Sequence, residues 1–406
     1  MGAGSAGIGA AKTAQARGLH YVVLEASHHI GGRAYTEEVA PGVYFDLGCH
    51  WLHSASLNPY VKVADALGFT YTNEKWSRNI YLQGRPASEE ESQDCDTFFR
   101  QSQDSLKDAA AAKRDVSVAD VIDRSNRWTS LFDYWASLMT SVDSDQVSVV
   151  DYTGYRDTGE DWPLKQGYGA LIARFASEVP VQLNTAVEEI NWNGSNIRLT
   201  TRKGVVSAKK TIITVSTGVL GGGDIKFTPP LPIWKQEAIS ALPVGNHNRI
   251  CLIYDRDVFG EDHPQGVTVM EDDDVPMGFR IRPFGYDYVV AVTGGRFADW
   301  LERAGTEAAA DLAKEKLIKA FGSDIAKHIV GCNVTAWRSD PWIKGAYSAA
   351  APGQAHQRQE LAKAIDDRVY FAGEAASTEF FATAHGAYLS GIEAANQVAD
   401  SLSSSG

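Results

Sequence analysis

The sequence predicts an α+β (α/β) fold: a dinucleotide-binding domain built from both ends of the chain, interleaved with a second domain of mixed sheet plus helices. Three observations predict it. The chain opens with a glycine turn, a helix-prone run, an apolar strand and an acid, in the spacing of a Rossmann-like unit. Its 406 residues exceed what one ordinary core supports. Two groups of β-type runs, at 181–220 and 246–295, follow a long helical stretch instead of alternating with helices throughout.

Gly2, Gly4 and Gly7 make a G-x-G-x-x-G turn. The first glycine permits the tight turn, the second lets a pyrophosphate approach the backbone, and the third lets helix and strand pack closely. Residues 8–18 are Ala-rich, so the helix they predict turns its free N–H groups toward the phosphates. The apolar run 21–24 reads as a strand, and Glu25, 18 residues after the third glycine, is placed to accept from a ribose hydroxyl. Gly31-Gly32-Arg33 then adds a planar, bidentate donor for a further phosphate contact. Only Met1 precedes the turn, where a strand is expected. The first strand of this domain is therefore expected to be missing, by truncation.

Residues 43–47 read as a short strand and 48–51 as a turn off its end. Residues 57–140 read as mostly helical, with the acidic run 88–96 as a solvated helix start and the apolar and aromatic residues of 118–139 as helical core. One helix is expected at 169–177, then strands from 181 with turns at Asn193-Gly194 and Lys203-Gly204. Thr228–Pro232 reads as a breaker between domains. Strands are expected over 246–295, 333–337 and 368–373, and helices over 306–321 and 385–402, before a frayed Ser-rich tail at 401–406. The nucleotide-binding domain is thus expected at 1–56, 181–228 and 335–406, and the second domain at 57–180 and 229–334.

Composition narrows the function. Hydrophobic content of 44% and charged content of 22% are those of a soluble globular chain, and no apolar run approaches the ~20 residues that span a bilayer. Net charge −13 argues against nucleic-acid binding and would steer a cationic ligand, although solubility alone accounts for it equally well. Cys49, Cys95, Cys251 and Cys332 lie far apart with no C-x-x-C, which fits reduced thiols in a cytoplasmic protein and gives no metal signature. A truncated start would hide a targeting signal. Glu271–Asp274 lacks ligand spacing and reads as a solvated turn, and Ser348 and His356 lack a nucleophile-elbow context, so a hydrolase is not expected. Nothing in the sequence sets the oligomeric state.

GAGSAG, LEASHHIGGR, DLGCHWLH, TVSTGVL, WRSDPWIKGAYS and FAGEAASTEFFATAHGAYLSGIEAA occur in that order across nearly the whole chain. It resembles the FAD-dependent amine oxidases, the family of monoamine oxidases, polyamine oxidases and flavin histone demethylases, and is nearest in motif to the polyamine oxidases. The resemblance implies FAD rather than NAD. By it, Gly2, Gly4 and Gly7 would hold the pyrophosphate, Glu25 the adenosine ribose, and Arg33 a phosphate. Val187 would touch the adenine through its backbone. Gly48, His50, Trp51 and Trp337 would line the flavin site, Gly373 and Glu374 the ribityl–phosphate arm, and Thr383 and Ala384 the ring.

The same resemblance implies the site's departures. Where monoamine oxidases attach flavin through a cysteine this chain has Ala346, so FAD is expected to be non-covalent. Tyr347 matches one wall of the aromatic cage, where it would present a π face to an amine, or else it is a core tyrosine. The second wall falls on Thr383, with Phe380 and Phe381 just before it as aromatic surface. His53 matches a histidine that contacts substrate amines in polyamine oxidases, or else it is a loop residue. Arg249 stands where the family has a lysine holding a water at flavin N5. It stays charged and is no base, but would hold a water or a substrate carboxylate.

The expected reaction is hydride transfer from the carbon beside nitrogen to flavin N5, with the imine hydrolysing to an aldehyde and O2 reoxidising the flavin to give H2O2. The rivals are an L-amino-acid oxidase, a flavin desaturase, and a degenerate, truncated flavin-binding protein without activity.

Overall fold

The computed structural model describes residues 1–73, 79–261, 263–271 and 275–403. The acidic positions 272–274 and the tail 404–406 lie outside the described residues. The chain divides into two compact units, one of Met1–Glu74, Gly154–Val244 and Asp340–Gly406, the other of Lys75–Thr153 and Gly245–Ser339.

In the first unit the opening turn runs into the helix Ser5–Ala16, whose Ala-rich face is buried. Val23–Leu24 pairs in parallel with Val181–Gln182, and Thr211–Ile213 in parallel with Val369–Phe371. Met1 and Gly2 hydrogen-bond to both pairs: Gly2 N donates to Leu24 O at 2.8 Å and Thr214 N to Met1 O at 3.0 Å. Met1 N also donates to Ile212 O at 2.7 Å, so the first two residues lie between the two parallel pairs. A four-stranded sheet follows in the order Gly204–Ala208, Ile197–Thr201, Val187–Asn191, Lys226–Thr228. The hairpin Thr36–Ala40 with Val43–Asp46 leads to Trp51–Leu52, which pairs with Trp162–Pro163. The helix Ala384–Ser403 lies on Ser5–Ala16 at a spacing only glycine allows: a Cβ at Gly391 would come within 2.0 Å of Ala6 O, and one at Gly9 within 2.4 Å of Tyr388 O.

The second unit is built on a seven-stranded sheet in the order Ile329–Val334, His247–Tyr254, Tyr288–Gly294, Met277–Ile281, Gly266–Met270, Ile80–Leu82, Arg85–Pro86. It is antiparallel except where Gly266–Met270 meets Ile80–Leu82. Leu301, Ala309, Ala313 and Leu317, from the helices Gly295–Ala304 and Thr306–Phe321, pack with its apolar residues Ile250, Leu252, Val269 and Phe279 into one core.

Three element expectations are corrected. The acidic run 88–96 opens the helix Glu89–Ala111, capped by a reciprocal Ser88–Glu91 box, but strands Ile80–Leu82 and Arg85–Pro86 interrupt the helical reading of 57–140. Residues 118–139 are not one helix. A short turn at Val118–Asp120 and a loop precede Thr129–Thr140, because the Asp123 and Asn126 side chains bond to nearby backbone N–H groups instead. The strand expected at 333–337 lies at Ile329–Val334, where the partner strand His247–Tyr254 sets its ends.

Candidate functional site

The glycine turn has the backbone its sequence demands. Gly2 (φ +98°), Gly31 (φ +102°) and Gly32 (φ +58°) sit in the left-handed region. A Cβ at Gly7 would fall 1.9 Å from Gly2 O, so a side chain there would break the turn. At Gly4, by contrast, the nearest protein atom to such a Cβ is Gly31 O, at 3.7 Å, which leaves the backbone open to a ligand. Gly4 is also the N-cap of Ser5–Ala16 and supplies no side-chain cap, so the N–H groups of that helix start remain for an anion.

Glu25, 8% exposed, ends its strand and accepts from Ala3 N at 2.6 Å and Ser27 N at 2.8 Å, which fixes its carboxylate beside the turn. Thr185 N donates to Glu25 O at 2.7 Å, which brings Val187 to the same end of the unit. An open glycine backbone, a free helix start and a pinned acid together fit a dinucleotide.

A second cluster of the first unit gathers around Glu374. Arg33 Nη1 donates to Glu374 Oε1 at 2.9 Å and also to Ala346 O. Ser348 Oγ donates to Glu374 Oε2 at 2.7 Å, and Ala382 N to the same oxygen at 3.1 Å. Burial pushes the Glu374 carboxyl up, but Arg33, Arg358 and the Ser348 hydroxyl more than offset this and hold it below the ordinary glutamate value. Gly373, at φ +147°, donates its backbone N–H to Ser390 Oγ at 2.9 Å.

His50 is buried, and its Nδ1 lies 2.8 Å from Asp46 Oδ2. Asp46 in turn accepts from Tyr168 N at 2.9 Å, capping the helix Tyr168–Phe175. His53 Nδ1 lies 2.7 Å from Asp161 Oδ1, and both side chains are about a third exposed. Burial raises the Asp161 carboxyl and the His53 hydrogen bond lowers it, with the lowering dominant. His385 is close enough to be felt by both. It is buried, its Nε2 has no hydrogen-bond partner, and burial together with His53 lowers its pKa to about 3, so it is neutral.

Thr383 Oγ1 donates to Phe380 O at 2.6 Å and accepts from Gly386 N at 3.1 Å, so the start of Ala384–Ser403 takes up the hydroxyl. Phe380 and Phe381 are each 8% exposed and pack edge-on against Tyr155. They are packing residues in this unit more than open aromatic surface. Tyr347 is half-buried, one residue before Ser348.

Arg249 and Trp337 belong to the second unit. Arg249, 8% exposed on His247–Tyr254, donates its N–H to Thr335 Oγ1 at 2.8 Å. Thr335 Oγ1 and Trp337 N both donate to Asn248 Oδ1, at 3.2 and 3.4 Å. Glu302 then accepts from Asn246 and Asn248 at 2.8 and 2.9 Å. His247 is half-buried, and desolvation followed by the Arg249 charge lowers it to about 3.

Asp46, Asp161, Ser348, Arg358 and His385 escape the sequence reading. Only Asp46, four residues before His50 in one short motif, left a local signal; Asp161, Ser348 and Arg358 meet their partners across gaps of 10 or more residues, and His385 is marked only by its burial. Among the described residues no group of His, Cys, Asp and Glu is arranged to hold a metal, and no helix is long and apolar enough to cross a membrane.

Residues 86–399 match the family model described as flavin containing amine oxidoreductase, and residues 1–65 that of the NAD(P)-binding Rossmann-like domain. The chain is 27% identical to polyamine oxidase 4 of Oryza sativa subsp. japonica, over 98% of this chain and 87% of that protein. It is 28% identical to polyamine oxidase 2 of Arabidopsis thaliana, over 97% and 86% respectively. Its fold is similar to that of cyclohexylamine oxidase from Brevibacterium oxydans IH-35A, with a TM-score of 0.81 at 20% identity over 99% of this chain and 98% of that one.

Proposed function

The chain belongs to the flavin-containing amine oxidoreductase family and is an FAD-dependent enzyme acting on amines; from that premise we propose that it oxidises a polyamine or another primary or secondary amine carrying a second positive charge. The single observation that carries the reading is Asp161: an ionised, third-exposed carboxylate held by His53 in the first unit. A carboxylate kept charged and partly open recognises an ammonium group.

Bound FAD supplies the hydride acceptor at N5 and, with O2, releases H2O2 while the imine product hydrolyses to an aldehyde. The chain's residues do the rest. Gly2, Gly4 and Gly7 admit the pyrophosphate to the helix start. Glu25 accepts from the adenosine ribose, Val187 meets the adenine, and Arg33 takes a phosphate. Gly48, His50, Trp51, Gly373, Glu374 and Ala384 of the first unit shape the flavin site. Tyr347 presents a ring face to the amine, and Thr383 sets the start of the helix Ala384–Ser403. Arg249 orients a water. Ala346 has no nucleophile, so the cofactor is held without a covalent bond.

A peroxide-coupled screen of polyamines, monoamines and amino acids tests this. Peroxide with polyamines, and yellow colour released into the supernatant on acid precipitation, are expected. Silence toward every amine with FAD bound would sink the reading. Turnover of amino acids alone would replace it with a second one, which the buried Arg249 guanidinium favours: an oxidase binding its substrate's carboxylate there.

A further inference from the structure

Arg358 was absent from the motifs, yet it is among the most deeply buried charged side chains, at 2% exposure. Its Nη1 donates to Ser348 Oγ at 3.0 Å and to Ala375 O at 3.3 Å, and its Nη2 to Ser348 O at 3.1 Å. The guanidinium carbon lies 4.0 Å from the centroid of the Phe381 ring. Ser348 Oγ in turn donates to Glu374 Oε2 at 2.7 Å, while Arg33 Nη1 donates to Glu374 Oε1 at 2.9 Å.

These contacts form a chain from Arg358 through Ser348 and Glu374 to Arg33. Buried polar groups linked in this way hold one another in place. Arg358 is enclosed by protein, whereas the Arg33 side chain is 23% exposed, beside Gly373 and Glu374. The cation with access to a ligand is therefore Arg33.

We propose that Arg358 is a positioning residue for the cofactor: by fixing Ser348, it holds the Glu374 carboxylate that in turn orients Arg33 toward a phosphate of FAD. The proposal rests on the reading of Arg33 as a phosphate contact. Lysine would not serve equally at 358, because the side chain forks to the hydroxyl and carbonyl of one residue while lying flat on a ring.

The test is the affinity of the apoprotein for FAD, read by flavin fluorescence, in Arg33→Gln, Arg358→Gln and the double variant, with riboflavin as a ligand that lacks phosphate. Each single substitution is expected to weaken FAD about ten- to a hundredfold, the usual range for removing an outer partner of a binding group. The double variant is expected to be no weaker than the weaker single one, because the two act as a unit. Riboflavin affinity should stay within about twofold, since no phosphate is involved. Unchanged FAD affinity in Arg358→Gln, additive losses in the double variant, or equal weakening of riboflavin would each overturn the proposal. If Arg33→Gln alone leaves FAD binding intact, the phosphate role of Arg33 fails and the proposal falls with it, while amine oxidation by the native chain still stands. Should Arg358→Gln not fold, Arg358→Lys carries the test, with an intermediate loss for FAD and none for riboflavin expected.

Discussion

Asp161 shows what a single side chain decides. Its carboxylate is lowered against the pull of burial, so it is charged at every pH near neutrality and suits the far ammonium of a diamine. Asp161→Asn removes the charge and keeps the shape. The KM for a diamine is expected to rise about tenfold, or ~1.4 kcal/mol, a modest value because water screens a partly exposed pair. The KM for a monoamine of equal length should barely move. Equal rises for both substrates, measured side by side, would remove Asp161 from recognition and leave it a support for His53. His53 itself was legible in its motif, but its partner was not: Asp161 lies 108 residues on, in a loop with no pattern of its own.

Among elements, the short helix Gln357–Ala362 carries Arg358, and a lysine closes its end. Lys235 Nζ donates to the carbonyls of Glu360, Leu361 and Lys363 at 2.8, 2.7 and 2.7 Å, with the Trp234 and Phe371 rings 4.6 and 4.3 Å away. Burial lowers the Lys235 pKa to about 7, but three carbonyl acceptors need all three N–H donors of the ammonium, and that charged form complements the helix dipole. Lys235→Met would leave three carbonyls buried and unmet, so a loss of about 3 kcal/mol is expected in the denaturant midpoint. A loss below ~0.5 kcal/mol would mean that water or a shifted helix end replaces the ammonium. Elements with a strong local signal, such as Thr306–Phe321 and the glycine turn, were readable because short-range spacing determines them. The strand Ile329–Val334 was misread by several residues, because its limits come from pairing with His247–Tyr254 and not from its own composition.

At the scale of the molecule, each compact unit keeps one histidine neutral, the buried His385 in one and the half-buried His247 in the other, both lowered to about 3. In the unfolded chain these groups take protons below about pH 6.5, which the folded chain refuses down to about 3. The unfolded state therefore binds more protons in that window, and stability falls with pH by up to about 1.4 kcal/mol per pH unit for each histidine. Glu374, Asp161 and Glu302, all lowered, add losses of the same sign as pH drops through the carboxylate range. Calorimetry is expected to show the melting temperature dropping steadily from about pH 6.5 to 4.5, with a shallower slope in His385→Asn. A flat melting temperature over that range would show that the two histidines are protonated in the native state.

Contiguous motifs made the flavin amine oxidase family legible in the residue order: the glycine turn with Glu25 and Arg33, and the DLGCHWLH and FAGE segments. Such motifs are legible because backbone approach to a dinucleotide dictates residue types at fixed local spacing. The tertiary structure alone decided which charges meet. Asp161 with His53, and Arg358 with Ser348 and Glu374, are contacts between segments distant in the chain, and burial then gives each charge its effect. Electrostatics of this kind depends on distance through space and on exclusion of water, and neither is written in the order of residues.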